Sequence, residues 1–226
     1  MKRHSKKFVI HYHDKNIIIK SSGRYVYMLN RKHNKEVSMK LPFCFPRDFH
    51  FNIPPLKRIL RSDAKEIIFD KDSKKLIAIR NGHVYLFQNE KYKCLGSIVG
   101  DAPLFNSHCI HNSTIYFGQY NQNNKRKDVH IYKVDNNNNL TTAFTFNAGE
   151  IRHIHSISKD PIIDKRLWIT TGDNNGECLL LYTDDDFNSI SNIGDKSQDY
   201  RIVNLGFSKD HLFYGTDNLE NQNYLY

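Results

Sequence analysis

The sequence predicts an all-β protein, a β-propeller of four-stranded antiparallel blades, of which about four to five are present. The main observation is a strand, a turn and a second strand that recur five times along the 226 residues. A second observation is that the apolar runs are short, rich in Ile, Val, Tyr and Phe, and bounded by Asn, Asp and Gly, as is typical of strands and turns. The glycines assigned to the turns are 59, 36, 54 and 43 residues apart, and these intervals centre near the length of one propeller blade.

The five copies predict the two middle strands of each blade. The segment before each copy supplies the inner strand, as in residues 152–157 and 201–207, because antiparallel strands that follow one another in sequence pair directly. We expect a single propeller domain over residues 1–226, with a basic first blade at 1–50 and the remaining blades at 51–226. The copies are residues 15–30, 74–88, 113–120 with 128–134, 165–184 and 211–226, and their turn glycines are Gly23, Gly82, Gly118, Gly172 and Gly215.

Two segments depart from this repeat. Residues 54–68 predict a helix, because Leu56, Ile59 and Leu60 fall at helical spacing after two prolines that suit a first helical turn. The copy at 211–226 has no outer strand, so we expect an incomplete or truncated propeller. Its open blade edge is expected to associate with a second copy or with a complementing chain.

The charge is uneven along the chain. Lys and Arg number 33 against 24 Asp and Glu, and residues 1–50 alone contain 12 basic and 3 acidic residues, which is the whole excess of +9. This basic segment is either a solvated edge or a surface that attracts nucleic acid, an acidic polysaccharide or an anionic lipid surface. Aromatic residues are not interleaved with the cations as in nucleic-acid modules, so we expect no specific nucleic-acid partner.

The four cysteines indicate a reducing compartment. Cys44, Cys94, Cys109 and Cys178 are far apart and form no CxxC pair. No long apolar run is present, so the sequence predicts neither a signal peptide nor a membrane span. We therefore expect a cytoplasmic protein with reduced thiols.

The predicted inner strand at 152–157 contains two histidines that are expected to lie on the same face of the strand. The two-residue period of a strand places His153 and His155 together and turns Arg152, Ile154 and Ser156 to the other face. Such a pair is a candidate ligand set for a divalent metal or a binding site for an anionic sugar. The alternative is a structural role in which both rings bond to neighbouring loops and no cofactor is present.

Further polar residues recur at equivalent positions of the later repeats, where a propeller would bring them together near its axis. We predict that Asp173, Asp199 and Asp217 are the catalytic acid or base groups. The predicted substrate-binding residues are Arg152, His153, His155, Gln198 and Arg201. The alternative is that the aspartates and glycines at these positions only form turns.

The segments GEIRHIHSISKDP, LWITTGD, SQDYRIVNLGF and YGTDNLENQNYLY resemble a group of uncharacterised sialidase-like β-propeller proteins with BNR-type (Asp-box) repeats. The resemblance covers about residues 50–226 and implies a glycosyl-hydrolase-like protein of polysaccharide biosynthesis. Its motifs are degenerate: TDDDF at 183–187 has Phe187 near the glycine position, and VDNNNNL at 134–140 lacks both glycine and tryptophan. Sialidases also bind the substrate carboxylate with three arginines, and only Arg152 and Arg201 are available here, so sialidase activity is not expected.

Two functional hypotheses follow. The first is a non-catalytic propeller that binds a glycan or a protein partner in polysaccharide metabolism. The second is a hydrolase or lyase that acts on an acidic glycan. The degenerate motifs favour binding without robust catalysis, because catalysis requires groups that are held to within about 0.5 Å.

Overall fold

A computed structural model describes residues 8–45, 48–49, 66–88, 91–105 and 107–226. Its strands form four successive four-stranded antiparallel sheets and a short fifth sheet, each made from consecutive strands of the chain. The helical content of these residues is one 3-10 turn at 198–200. This arrangement confirms the predicted all-β, propeller-like architecture.

The strands are numbered in chain order. The first sheet contains β1 (Val9–His13), β2 (Ile17–Ser22), β3 (Tyr25–Asn30) and β4 (Lys35–Lys40). The second contains β5 (Glu66–Asp70), β6 (Lys75–Arg80), β7 (His83–Gln88) and β8 (Lys91–Ser97). The third contains β9 (His108–His111), β10 (Thr114–Gly118), β11 (Val129–Val134) and β12 (Leu140–Phe146). The fourth contains β13 (His153–Lys159), β14 (Leu167–Gly172), β15 (Leu180–Thr183) and β16 (Ser191–Asn192), and the fifth contains β17 (Gly206–Phe207) and β18 (Leu212–Phe213).

The fifth sheet is extended by bridges beyond its two short strands. Ile202 pairs with Thr216, and Gly215 pairs with Leu225. The backbone groups of Tyr214 and Tyr226 also bond to each other in both directions, at 3.1 and 3.0 Å. Within the described ranges, no strand of this sheet pairs with a strand of the first sheet.

The apolar core of the described residues consists of four clusters, one between each pair of consecutive sheets. Alternation along a strand divides its side chains between two clusters, because successive residues point to opposite faces of a sheet. In β5, Ile67 packs against the first sheet and Ile68 packs against the third. In β14, Ile169 packs against the third sheet and Trp168 packs against the fifth. The second, third and fourth sheets are therefore buried on both faces.

The predicted helix at 54–68 is wrong at its C-terminal end. Residues 66–68 belong to β5, where Ile67 and Ile68 face opposite clusters with the period of a strand. The rest of that segment, 54–65, lies outside the described residues, as do the basic residues of segment 2–7.

The predicted turn glycines have two different roles. Gly23 and Gly82 lie in tight turns with φ of +56° and +71°, the region that favours glycine. Gly118 and Gly172 instead end strands β10 and β14, and Gly215 pairs with Leu225 in the fifth sheet, so the assignment of these three glycines to turns is wrong. A Cβ on Gly118 would lie 2.4 Å from Ile154 Cγ2 of the next sheet, so this glycine allows two sheets to approach closely.

In the part of the chain that the structure describes, no helix has the length and apolar character needed to cross a membrane. The cytoplasmic location stays a prediction.

Asp160 closes the turn after β13 and supplies a test of the fold. Its carboxylate accepts the backbone N–H groups of Ile162 and Ile163 at 2.8 Å and the indole N–H of Trp168 at 2.8 Å. Burial raises the pKa of Asp160, but these hydrogen bonds and the Arg166 charge outweigh it, so the pKa lies below its ordinary value. The ionised carboxylate therefore stabilises the folded state.

We expect Asp160→Asn to lower the free energy of unfolding at pH 7 by about 1.5–3 kcal/mol, the range for hydrogen bonds to a charged group. The difference between wild type and variant should narrow as the pH falls below about 4, because Asp160 of the unfolded chain then becomes protonated, and it should reach its minimum once the carboxylate is protonated in the folded protein as well. Urea unfolding, followed by the fluorescence of the single tryptophan, measures the free energy of unfolding of wild type and variant at each pH. Asp164→Asn is the control in the same turn, since the Asp164 side chain is 87% exposed. A difference in the free energy of unfolding between wild type and Asp160→Asn that stays constant down to pH 2 would contradict the stabilising role of the ionised Asp160 carboxylate.

Candidate functional site

Three side chains converge at the junction of β13 and β14. His153 begins β13, His155 lies two residues further along it, and Asp173 directly follows β14. The Nε2 atoms of the two histidines are 3.1 Å apart. Asp173 Oδ1 lies 3.4 Å from His153 Nε2 and 3.3 Å from His155 Nε2. The structure thus brings together three atoms that can each bind a metal ion.

A β-bulge in β13 contributes to this arrangement. Ile154 pairs with Thr171 and Ser156 pairs with Thr170, so His155 is an extra residue without a partner in the register. The neighbouring Gly172 provides space for its ring, because a Cβ there would lie 2.6 Å from His155 Cε1.

Backbone carbonyls hold both imidazoles in the same tautomer. His153 Nδ1 lies 3.0 Å from the carbonyl oxygen of Asn121, and His155 Nδ1 lies 2.9 Å from that of Ile202. A carbonyl oxygen only accepts, so each Nδ1 carries a proton and donates it, and the lone pair of the neutral ring is on Nε2. Two lone pairs that face each other at 3.1 Å repel unless a proton or a cation lies between them.

The electrostatics of the cluster are dominated by burial. His153 and His155 are each 4% exposed. Burial lowers the pKa of His153, with smaller opposing effects from the Asn121 carbonyl and the Asp173 charge. Burial also raises the pKa of Asp173, but its electrostatic interactions with both imidazoles and with the Arg201 guanidinium outweigh it and lower the pKa overall. Asp173 is therefore ionised at neutral pH.

Arg152 and Arg201 hold Asp173 in place. Arg152 Nη1 donates to Asp173 Oδ2 at 2.9 Å, and its Nε and Nη2 donate to the backbone and side chain of Gln122 at 2.9 and 2.6 Å. Arg201 Nη2 lies 3.3 Å from Asp173 Oδ1, and its Nη1 bonds to the carbonyl and the carboxylate of Asp217. Both guanidinium groups thus bond to protein acceptors, and their role in substrate binding stays a prediction.

The remaining predicted site residues are divided between the cluster and its surroundings. Gln198 is buried, and its Nε2 donates to the backbone carbonyl of Asp173 at 2.9 Å. Asp217 has a half-exposed carboxylate beside Arg201, 3.1 Å from Nη1. Asp199 lies in the turn at 198–200 and accepts a hydrogen bond from the Tyr226 hydroxyl, so its contacts are with the terminal tyrosines rather than with the cluster.

Sequence reasoning predicted that Asp173 would lie near His153 and His155, with an acid or base role, but it missed two other contributors to the site. These are the carbonyl of Asn121 and the ring of Tyr120, which lies 4.4 Å from the ring of His153 between centroids. Both residues come from the loop after β10, more than 30 positions earlier in the chain, and no local pattern connects that loop with β13.

The comparisons with known proteins support the fold. No protein-family model matches the chain, and no curated protein is significantly similar to it, so the resemblance to sialidase-like propellers stays a prediction. The extracellular domain of a candidate one-component system from B. thetaiotaomicron is similar with a TM-score of 0.55 and 14% identity, over 91% of this chain and 25% of that chain. A candidate 6-phosphogluconolactonase from Bacteroides uniformis gives a TM-score of 0.53 and 12% identity, over 91% of this chain and 62% of that chain.

A eukaryotic initiation factor gives a TM-score of 0.51 and 12% identity, over 98% of this chain and 54% of that chain. The chain therefore spans a quarter to about three fifths of these solved structures. Proteins with such different descriptions share an arrangement of sheets, and at this identity the likeness shows the fold alone.

The space beside Gly172 provides a test of the bulge geometry. We expect Gly172→Ala to displace the His155 ring, because the new Cβ would lie 2.6 Å from Cε1, and to lower the free energy of unfolding by about 1–3 kcal/mol. Nitrogen-15 NMR of the imidazoles should show that His155 loses the Nδ1–H tautomer that Ile202 holds, while His153 keeps its own. Gly215→Ala is the control, since a Cβ there meets nothing within 4 Å. An unchanged His155 tautomer in Gly172→Ala would show that the glycine does not position the ring.

Proposed function

We propose that His153, His155 and Asp173 hold a divalent metal ion and that this metal centre binds an acidic glycan. The observation that supports the proposal is the triangle of donor atoms, with sides of 3.1, 3.3 and 3.4 Å. In a tetrahedral zinc site, bonds of about 2.0–2.1 Å place the ligand atoms about 3.3–3.4 Å apart. An ion slightly above the plane of this triangle would thus reach all three atoms with little movement of the side chains.

The groups behind the ligands fit a metal centre as well. Metal-binding histidines usually donate their second ring N–H to a carbonyl or a carboxylate, which fixes the tautomer and the ring orientation. His153 and His155 do so through Asn121 and Ile202, and the second carboxylate oxygen of Asp173 accepts from Arg152. The set of two nitrogens and one oxygen favours zinc or a similar transition metal over calcium or magnesium.

An anionic ligand follows from the coordination and the charge. Three protein ligands leave at least one position of a tetrahedral ion for a ligand from outside. Arg152 and Arg201 offset the two negative charges of Asp173 and Asp217, so a divalent ion would leave the centre positive. A carboxylate oxygen of an acidic sugar is a suitable ligand for this position, and the proposed role is binding during polysaccharide metabolism.

An enzyme that acts on the same ligand, a hydrolase or lyase, is the second candidate. Arg201 contacts the carboxylates of both Asp173 and Asp217, and the Asp217 side chain is 56% exposed. Two carboxylates beside one ligand are the groups that glycosidases use as acid and base. When bound, the metal would supply positive charge beside the sugar carboxylate, and Asp217 would exchange a proton with the glycan.

Zinc titration tests the proposal. We expect wild-type protein to bind one equivalent of zinc, and His155→Asn to bind it about 100-fold or more weakly, because a ligand is lost. His211→Asn is the matched control, since His211 is exposed in the turn between β17 and β18. Calorimetry against a competing chelator gives the affinities, and elemental analysis gives the stoichiometry.

The same samples separate binding from catalysis. A hexuronic-acid oligosaccharide should bind to the zinc-loaded protein and not after chelation, and chromatography of the incubated oligosaccharide should show it intact. Cleavage that is lost in Asp217→Asn would favour the enzyme. Full zinc affinity in His155→Asn would overturn the metal centre, and oligosaccharide binding that is indifferent to chelation would overturn the role of that centre in glycan binding.

A further inference from the structure

A cavity of about 330 Å³ lies between the second and third sheets, and no residue of the histidine cluster contributes to it. This volume falls in the range of small-molecule sites, about 300–1,000 Å³. Ser113 precedes β10, whereas Asn121 follows it and contacts His153, so the cavity and the cluster lie at opposite ends of that strand. Leu86 and Phe87 form an apolar part of the wall, and the polar residues of the wall include Ser73, Lys74, Lys75, Ser113, Asn136 and Asn138.

Lys75 is the unusual member of this wall. It is 8% exposed, although lysine is almost never buried without a partner of opposite charge. Among the residues that the structure describes, its Nζ donates one hydrogen bond, to the carbonyl oxygen of Asp135 at 2.7 Å. An ammonium group has three N–H donors, so donors remain for a further acceptor on the cavity side.

The charges around Lys75 do not fully compensate its burial. Asp70 lies opposite Lys75 in the register of β5 and β6, and its carboxylate accepts from the backbone of Asp72 and the hydroxyl of Ser73. Burial lowers the pKa of Lys75, against smaller opposing effects from Asp70 and Asp135. An anion in the cavity would stabilise the ammonium and recover part of the cost of its burial.

We propose that this cavity binds a small anionic molecule with several hydroxyl groups. The Lys75 ammonium binds its acidic group, and the serine hydroxyls and asparagine amides of the wall bind its hydroxyls. Lys74 adds a second positive charge at the exposed side of the cavity. This site is independent of the metal centre, because it shares no residue with it and lies at the other end of β10.

Calorimetric titration with D-glucuronate, glucose 6-phosphate and glucose tests the proposal. At least one of the two anions should bind about tenfold or more tightly than glucose, and the tighter one identifies the acidic group as carboxylate or phosphate. Lys75→Met keeps most of the buried stem and should weaken anion binding about tenfold or more. Lys165→Met, at an exposed position in the turn between β13 and β14, should bind the anion as wild type does. His155→Asn should also leave it unchanged, which distinguishes this site from the metal centre.

A second measurement uses the wild-type protein, so it does not depend on how Lys75→Met folds. Acetylation by a water-soluble ester, followed by peptide mass spectrometry, should modify Lys75 more slowly when the bound anion is present, while Lys165 reacts at the same rate. Equal affinities for the anions and glucose, unchanged anion binding in Lys75→Met, or unprotected acetylation of Lys75 would each overturn the proposal.

Discussion

The burial of both faces of each inner sheet is the constraint on which the rest of the structure depends. Four apolar clusters fill the spaces between consecutive sheets, and the alternation of side chains divides each strand between two of them. Polar side chains inside such strands must find partners, because an unpaired polar group in this environment costs about 1–3 kcal/mol. Chemically active groups therefore gather at the strand ends, where loops supply carbonyls and side chains.

The histidine cluster follows from this constraint at one end of the fourth sheet. Ile154 fills the space that Gly118 leaves beside the third sheet, and the bulge after it lets His153 and His155 meet on the side of Asp173. The carbonyl of Asn121, in the loop after β10 of the third sheet, and the carbonyl of Ile202, in the fifth sheet, then fix both rings. The site thus depends on three consecutive sheets. The cavity at Lys75 depends in the same way on the contact between the second and third sheets.

Local patterns predicted most of the strands, because short apolar runs bounded by turn residues, as in 15–30 and 74–88, are visible in the sequence itself, but they placed Ile67 and Ile68 in a helix. These patterns failed where a residue's role is determined by a partner that lies far away in the sequence. Gly118 and Gly172 follow apolar runs like turn glycines, but each makes room for a side chain of β13, namely Ile154 and His155. The partners of Arg152 are about 30 positions away along the chain, so a sequence pattern placed this arginine near the site and could not show that its donors already hold Asp173.

The X-ray absorption spectrum of the zinc-loaded protein measures the coordination of the metal directly. Two imidazole nitrogens at about 2.0–2.1 Å and a carboxylate oxygen at about 2.0–2.2 Å are expected, with the outer-shell scattering that imidazole rings produce, and His155→Asn should lose one of those rings. Cys178 is buried near Asp173 and has a thiol whose pKa is raised to about 12 by burial, so sulfur should be absent from the coordination shell. A shell of oxygens alone, or a sulfur at about 2.3 Å, would contradict a centre built from His153, His155 and Asp173.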